Sequence, residues 1–415
     1  MGVSVVVVIS DSSRVDLEWV LPLIDELMEG GGRVEVFDFT PMDRNDRSSY
    51  GMKSLRYVLG RWPRRYADLE PIPSVMARFL DRLRAKASVV ARIGALYFSP
   101  KSPLERIVSL SKWRKRARAQ ALEKLFADCS GLFVGLRAED WAGGTGEAEL
   151  IEAARAHGVP VIGFPPVVDH EIPHRKLMAC DIALANTQQQ ASAWRKISDV
   201  RVLAVTPPAF TARWLARLEA VQHALVGNWD ASSNAKSALV ILKNDNSIVW
   251  TGLDFHETAR NMLVSLLDTG RHLLIKRHPR QSQEALQRLL GEIDPTRYTL
   301  VDGPLAYWAQ RAGLVVSLFS GGILDCLAVG RVAILYWPMT ASYMKKIRDG
   351  EVTDVYVRRG SDGVPITKYH NFCFEVTDPV FKMPPMTDMA SRLAVFQEHY
   401  PAVENCAAIR KLIAC

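Results

Sequence analysis

Strand-length apolar runs alternate along the chain with stretches whose apolar residues recur every three or four positions. GVSVVVVIS (2–10) is β-branched, Asp11-Ser12-Ser13 suits a turn and helix cap, and Leu17, Val20, Leu21, Ile24 and Leu27 then keep helical spacing. Gly30-Gly31-Gly32 ends that helix, and RVEVFDF (33–39) predicts a second strand. The alternation resumes with GLFVGL (131–136), a helix over 147–157, PVIGF (160–164) and DIALANT (181–187). It runs again through ALVILK (238–243), a helix over 256–268, HLLIK (272–276), a helix over 282–291, YTLV (298–301), GLVVSL (313–318), a helix from about 322, and VAILYW (332–337). Near-continuous apolar strands are buried on both faces, as in parallel sheets covered by helices. Two such series predict an α/β protein of two doubly wound, Rossmann-like domains facing across a cleft.

Length agrees with this division, since 415 residues exceed what one hydrophobic core usually supports. The expected units are an N-terminal domain over 1–210 with a basic helical insertion at about 51–120, and a linker over 211–237 that ends in polar GNWDASSNAKS. A C-terminal domain over 238–385 and two helices within 386–415 complete the chain.

Charge changes the picture more than composition does. Between Lys53 and Arg118 stand 17 Lys and Arg against four acids, so the net +7 of the chain is concentrated there and the remainder is net acidic. The basic residues interleave with Trp62, Tyr66 and Trp113, a pattern that suits an anionic membrane surface, although a solvated helical face has the same composition. Nucleic-acid phosphates attract such charges too, but no nucleic-acid module accompanies them, so no nucleic-acid partner is expected. No apolar run approaches the roughly 20 residues that cross a bilayer, and the N-terminus has no basic n-region or cleavage site. The expected location is cytoplasmic, peripheral on the inner face of the membrane. Six scattered cysteines without CxxC spacing argue against a zinc site or a disulfide framework.

Ligands of open α/β sheets bind beyond the carboxyl ends of the strands. Three segments of the second half qualify: Lys243-Asn244-Asp245, Arg277-His278-Pro279-Arg280, and Ser317-Leu318-Phe319-Ser320-Gly321-Gly322. Lys276, Arg277, His278 and Arg280 together would repel one another unless an anion or water sat among them. Ser320 and the two glycines open a helix whose free N–H groups favour a phosphate, and Asp325, within that helix, is a candidate for ribose hydroxyls. Histidine's ordinary pKa near neutrality would allow His278 to stabilise or protonate a phosphate leaving group. Taken singly, Ser-Gly-Gly is an ordinary helix start, Asp325 an ordinary first-turn acid, and His278 an ordinary surface residue.

KRHP, standing about 40 residues before S-x-x-S-G-G-x-x-D-x-L-A-x-G-x-x-x-I-L-Y and after a strand ending in LKNDNS, resembles the donor half of the GT-B glycosyltransferases that build bacterial capsule and surface polysaccharides. Kdo-transferring capsule proteins and bacterial sialyltransferases belong there, and the glycerol-phosphate polymerases of teichoic acid carry similar motifs. The resemblance covers roughly 238–340 and implies a GT-B fold in which His278-Pro279 and the Ser317/Ser320 motif contact the nucleotide phosphate. Many relatives have Ser-Ser or Ser-Thr where this chain has Ser320-Gly321, so backbone donors would replace the second hydroxyl. CMP-linked acidic sugars rank first as donors, with CDP, UDP and GDP open. The implied acceptor is a surface glycan or a lipid-linked molecule.

An inverting transferase needs a base for the acceptor hydroxyl, on the opposite domain across the cleft. Glu139-Asp140, in LRAEDWAGGTGE (136–147), resembles the paired-acid motif of the sialyltransferase-like families, although Trp141-Ala142 intervenes before Gly143. Asp140 is the first choice, with Asp11 and Asp169 as rivals. No DxD-type metal motif stands in a suitable place, and no obligatory metal is expected. The other readings are a non-catalytic nucleotide-binding interaction protein and a CDP-alcohol phosphotransferase of the teichoic-acid type.

Overall fold

The computed structural model describes residues 3–9, 15–39, 50–65, 110–136, 145–165, 174–226, 236–245, 247, 250, 252–278, 281–349, 357–359, 365–367, 369–400, 409 and 411–412. The first sheet consists of β1 (Ser4–Ile9), β2 (Arg33–Asp38), β3 (Arg64–Arg65), β4 (Gly131–Gly135), β5 (Val161–Phe164), β6 (Ile182–Ala185) and β7 (Arg201–Ala204), in the order β3-β2-β1-β4-β5-β6-β7. The second has β8 (Ser237–Ile241), β9 (His272–Lys276), β10 (Tyr298–Leu300), β11 (Leu314–Leu318), β12 (Ala333–Tyr336) and, after a small antiparallel pair β13 (Val357–Arg359) and β14 (Pro365–Thr367), β15 (Phe374–Val376). Its order is β10-β9-β8-β11-β12-β15, and every pairing in both large sheets is parallel.

The central strands are buried, as their sequences require: all five residues of β8 and of β11, and five of six in β1, are buried, whereas the edge strands β7 and β10 are largely not. Helices flanking them start where polar caps allow. Asp254 accepts from Glu257 N to open Phe255–Asp268, and Ser282 accepts from Ala285 N to open Gln283–Leu290. In each sheet the winding reverses once, between β1 and β4 and between β8 and β11, and such a reversal opens a crevice at the carboxyl edge.

ARWLARLEAVQHALV forms a helix, Ala212–Val226, inside the segment read as linker, because Trp214, Leu218 and Val221 fall on one face and are buried. That helix joins the lobes: Glu219 pairs with Arg311 at 2.6 Å, and Gln222 packs against Gly303 so closely that a Cβ there would lie 2.2 Å from its Oε1. Gly303 also has φ +97°, a conformation that suits glycine. Of the two expected terminal helices, Met389–His399 is described and 401–408 lies outside the described residues. Most of the basic insertion, 66–109, is outside them as well. No helix among the described residues is long and apolar enough to cross a membrane.

Candidate functional site

Register brings the three predicted segments to one edge. Ile241 of β8 pairs with Lys276 of β9 and with Ser317 of β11, so Lys243-Asn244, Arg277-His278 and Phe319–Gly322 leave three neighbouring strands in the same direction. β9 and β11, which lead into His278 and Ser320, lie on either side of β8, two strand spacings or about 10 Å apart.

Lys243 ties this edge together. Its Nζ donates to the Phe319 carbonyl at 3.1 Å and lies 5.4 Å from the Phe319 ring centroid. Phe319 has φ +45°, the left-handed region that a bulky residue enters at a cost of about 1–3 kcal/mol. Its ring stacks on fully buried Trp337, centroids 5.2 Å apart, which holds the turn in that conformation. The chain thereby turns sharply out of β11 into the helix Ile323–Ala328.

The two serines of the motif have different positions. Ser317 is fully buried, and its hydroxyl accepts from Ser320 N at 3.2 Å and donates to Ser320 O at 3.3 Å. It closes the turn and has no surface for a phosphate, which corrects the expectation for Ser317. Ser320 is partly exposed, with its Oγ 3.4 Å from Gly322 N. Gly321 begins the helix, its carbonyl accepting from Leu324 N at 3.1 Å. A Cβ on Gly322 would fall 2.3 Å from Leu305 Cδ1, so the glycine makes room for the neighbouring helix Leu305–Arg311.

On the β9 side, the His278 carbonyl accepts from Gln281 N at 3.0 Å, while Pro279 and Arg280 lie outside the described residues. Arg277 is exposed and reaches Gln283 at 3.5 Å, while the Asn244 carbonyl accepts from Trp250 Nε1 at 2.9 Å. Lys276 departs from the basic group. It is almost completely buried and paired with Asp302 at 2.8 Å.

Lys276 and Asp325 line a cavity of about 110 Å³ between the lobes. The second lobe adds Gly303 to Ala306, and the first lobe supplies an apolar wall of Leu17, Leu21, Ala209, Trp214 and Leu218, with Tyr50 and Ser54 beside it. Tyr50 Oη is buried, and burial pushes its pKa up against a hydrogen bond with the Ser54 side chain that lowers it. Sequence reasoning assigned Asp325 to ribose; it stands on the face of its helix that meets this cavity. The wall itself was missed, because apolar residues of helices Val15–Glu29 and Ala212–Val226 read as core whether or not they border a void.

Glu139, Asp140, Asp11 and Asp169 all lie outside the described residues. In the described part of the basic segment, Arg61 pairs with Glu35 at 3.1 Å and Arg56 lies over Trp62 at 4.9 Å.

Two doubly wound lobes with a cleft between their carboxyl edges constitute the GT-B fold. Solved structures of that architecture are similar over the whole chain. The UDP-GlcNAc 2-epimerase from Methanocaldococcus jannaschii has 10% identity with a TM-score of 0.51, covering 100% of both chains. The calicheamicin glycosyltransferase CalG4 has 11% identity with a TM-score of 0.50, covering 100% of this chain and 99% of its own. No protein-family model matches the chain, and no curated protein matches it.

Proposed function

We propose that the protein transfers a sugar from a nucleotide-sugar donor, CMP-linked sugars first, to a surface-glycan or lipid-linked acceptor at the cytoplasmic face of the membrane. The observation that carries this reading is that His278 and the Ser320–Gly322 turn follow β9 and β11, which flank β8 and end on the same edge of the sheet beside a winding reversal. The donor phosphates would lie between them, with Arg277, His278 and the backbone N–H groups of the turn neutralising the charge that builds on the leaving nucleotide. Asp140 or Glu139 would take the acceptor hydroxyl's proton as a new bond forms between the acceptor oxygen and the anomeric carbon and the bond from that carbon to the phosphate oxygen breaks, inverting the anomeric centre. With protein groups holding the phosphates, no metal is required. The basic segment 53–118 would bring the enzyme to anionic lipid.

Incubation with a panel of CMP-, CDP-, UDP- and GDP-sugars, followed by product mass, tests the reading. Free nucleotide with a glycosylated acceptor supports it. An unchanged donor mass with altered sugar stereochemistry would instead assign epimerisation, the activity of the M. jannaschii neighbour, and a phosphoalcohol product would assign phosphotransfer.

A further inference from the structure

The helix Ala212–Val226 is fastened to both lobes, by different halves. Its first half belongs to the first lobe. Trp214 and Leu218 are buried there, Arg213 pairs with Asp25 at 3.4 Å and with Glu29 at 2.5 Å, and Arg217 pairs with Asp25 at 3.4 Å. Asp25 is 3% exposed, so both arginines end on a carboxylate of helix Val15–Glu29 that water hardly reaches. The second half belongs to the second lobe. Glu219 pairs with Arg311 at 2.6 Å, and the Arg311 guanidinium is itself fixed, 3.6 Å above the Tyr307 ring centroid with its Nη1 donating to the Tyr307 carbonyl at 3.2 Å. Beside this pair, Gln222 fills the notch that Gly303 leaves by having no Cβ.

Two lobes of one chain ordinarily move relative to each other. Between these two a helix of 15 residues is tied at both ends, and a hydrogen-bonded helix does not stretch. We infer that this helix is a latch: it holds the lobes at one angle, and the cleft widens only when Arg311 leaves Glu219 and Gln222 leaves Gly303. The release falls on the second-lobe side, because Glu219 is 59% exposed and its pair is a weak tie, whereas the first-lobe ties are more numerous and end on buried Asp25. Two buried polar atoms mark the same junction. Gln222 Oε1 and Tyr307 Oη have no hydrogen-bond partner among the described residues, whereas a permanent interface leaves such groups paired. Separation of the lobes gives both atoms access to water. The inference goes beyond the transferase reading, since it holds whatever ligand the cleft takes.

Double electron–electron resonance on the full-length protein tests this without any ligand. Spin labels on unnatural amino acids at exposed Glu152 of the first lobe and exposed Gln287 of the second read the separation of the lobes. The wild type should give one narrow distance distribution. Glu219→Arg sets two guanidiniums against each other. Loss of an exposed ion pair plus a repulsion of like size should raise the wider-spaced population about 2- to 30-fold. Gly303→Leu, which drives a side chain into Gln222, should also shift the distribution to longer distances, and Gly303→Ala takes its place if a melt shows it unfolded. Ala220→Arg adds charge at the neighbouring exposed position and should leave the distribution as in the wild type. Three results would each overturn the inference: a broad distribution in the wild type, equal widening by Ala220→Arg, or no change in Glu219→Arg and the Gly303 variant while cooperative melts show both folded. Nucleotide binding, measured separately, reports on the transferase reading alone, so either can fail without the other.

Discussion

Lys276 Nζ lies 2.8 Å from Asp302 Oδ1, the lysine side chain 4% exposed and the carboxylate 65%. The basic run that ends β9 is therefore not one undivided anion trap: its first member is turned inward and paired, whereas Arg277 is exposed. Because Lys276 is buried, Asp302→Asn takes away the carboxylate that balances its ammonium and should cost about 3–5 kcal/mol. Lys276→Met with Asp302→Asn removes the stranded charge too and should recover most of that loss. Urea denaturation compares them, and a double variant no more stable than the single one would contradict this account.

The serine motif divides into a structural and a binding member. Ser317→Ala should lower stability by about 1 kcal/mol and leave nucleotide affinity unchanged, since its hydroxyl is spent on Ser320. Ser320→Ala should leave stability nearly unchanged and weaken nucleotide binding by about 2- to 10-fold. Calorimetry with each variant separates the roles.

Phe319 pairs an unfavourable backbone with a favourable ring. Removing the ring stacked on Trp337 should destabilise Phe319→Ala by about 3 kcal/mol, whereas Phe319→Gly loses the same ring but relieves the left-handed backbone. The glycine variant should be the more stable by about 1 kcal/mol in chemical denaturation, an order opposite to that of an ordinary strand or helix position.

Much of this arrangement is legible in the sequence. Continuous apolar runs of strand length, separated by amphipathic stretches, specify parallel strands and crossover helices, and HLLIK reads as β9 residue for residue. The edge on which His278 and Ser320 meet follows from that pattern alone, because parallel strands all end on one side. What the pattern omits is set by tertiary packing. Nothing local distinguishes the burial of Ser317 from the partial exposure of Ser320, or the inward turn of Lys276 from the exposure of Arg277. Gly322 looks like a ligand's glycine until Leu305, which approaches it from another helix, is known.

That approach is itself testable. Gly322→Ala forces a Cβ into Leu305 and should cost about 1–3 kcal/mol, of which most is recovered in a Leu305→Ala background. Additive effects in the double-mutant cycle would mean that the two residues do not touch.

Acid stability has one identifiable contributor in the first lobe. The Arg213 guanidinium, bonded to Glu29 at 2.5 Å, holds that carboxyl below its ordinary 4.5. A carboxyl with a lowered folded-state pKa stabilises the fold above its unfolded value and loses that contribution as pH falls through the folded one. Glu29→Gln should therefore show a shallower loss of stability in that acid window than the wild type when melts are followed against pH.

The claim on which the rest depends is that a nucleotide is held between the His278 turn and the Ser320–Gly322 turn. Thermal melts of wild type, His278→Ala and Ser320→Ala with CMP, CDP, UDP and GDP test it most directly. At a hundred times its Kd the preferred nucleotide should stabilise the wild type by about 2.7 kcal/mol. His278→Ala should lose about tenfold in affinity and hence about half of that stabilisation, with a smaller loss in Ser320→Ala. No stabilisation by any of the four, or equal stabilisation of all three proteins, would contradict the account.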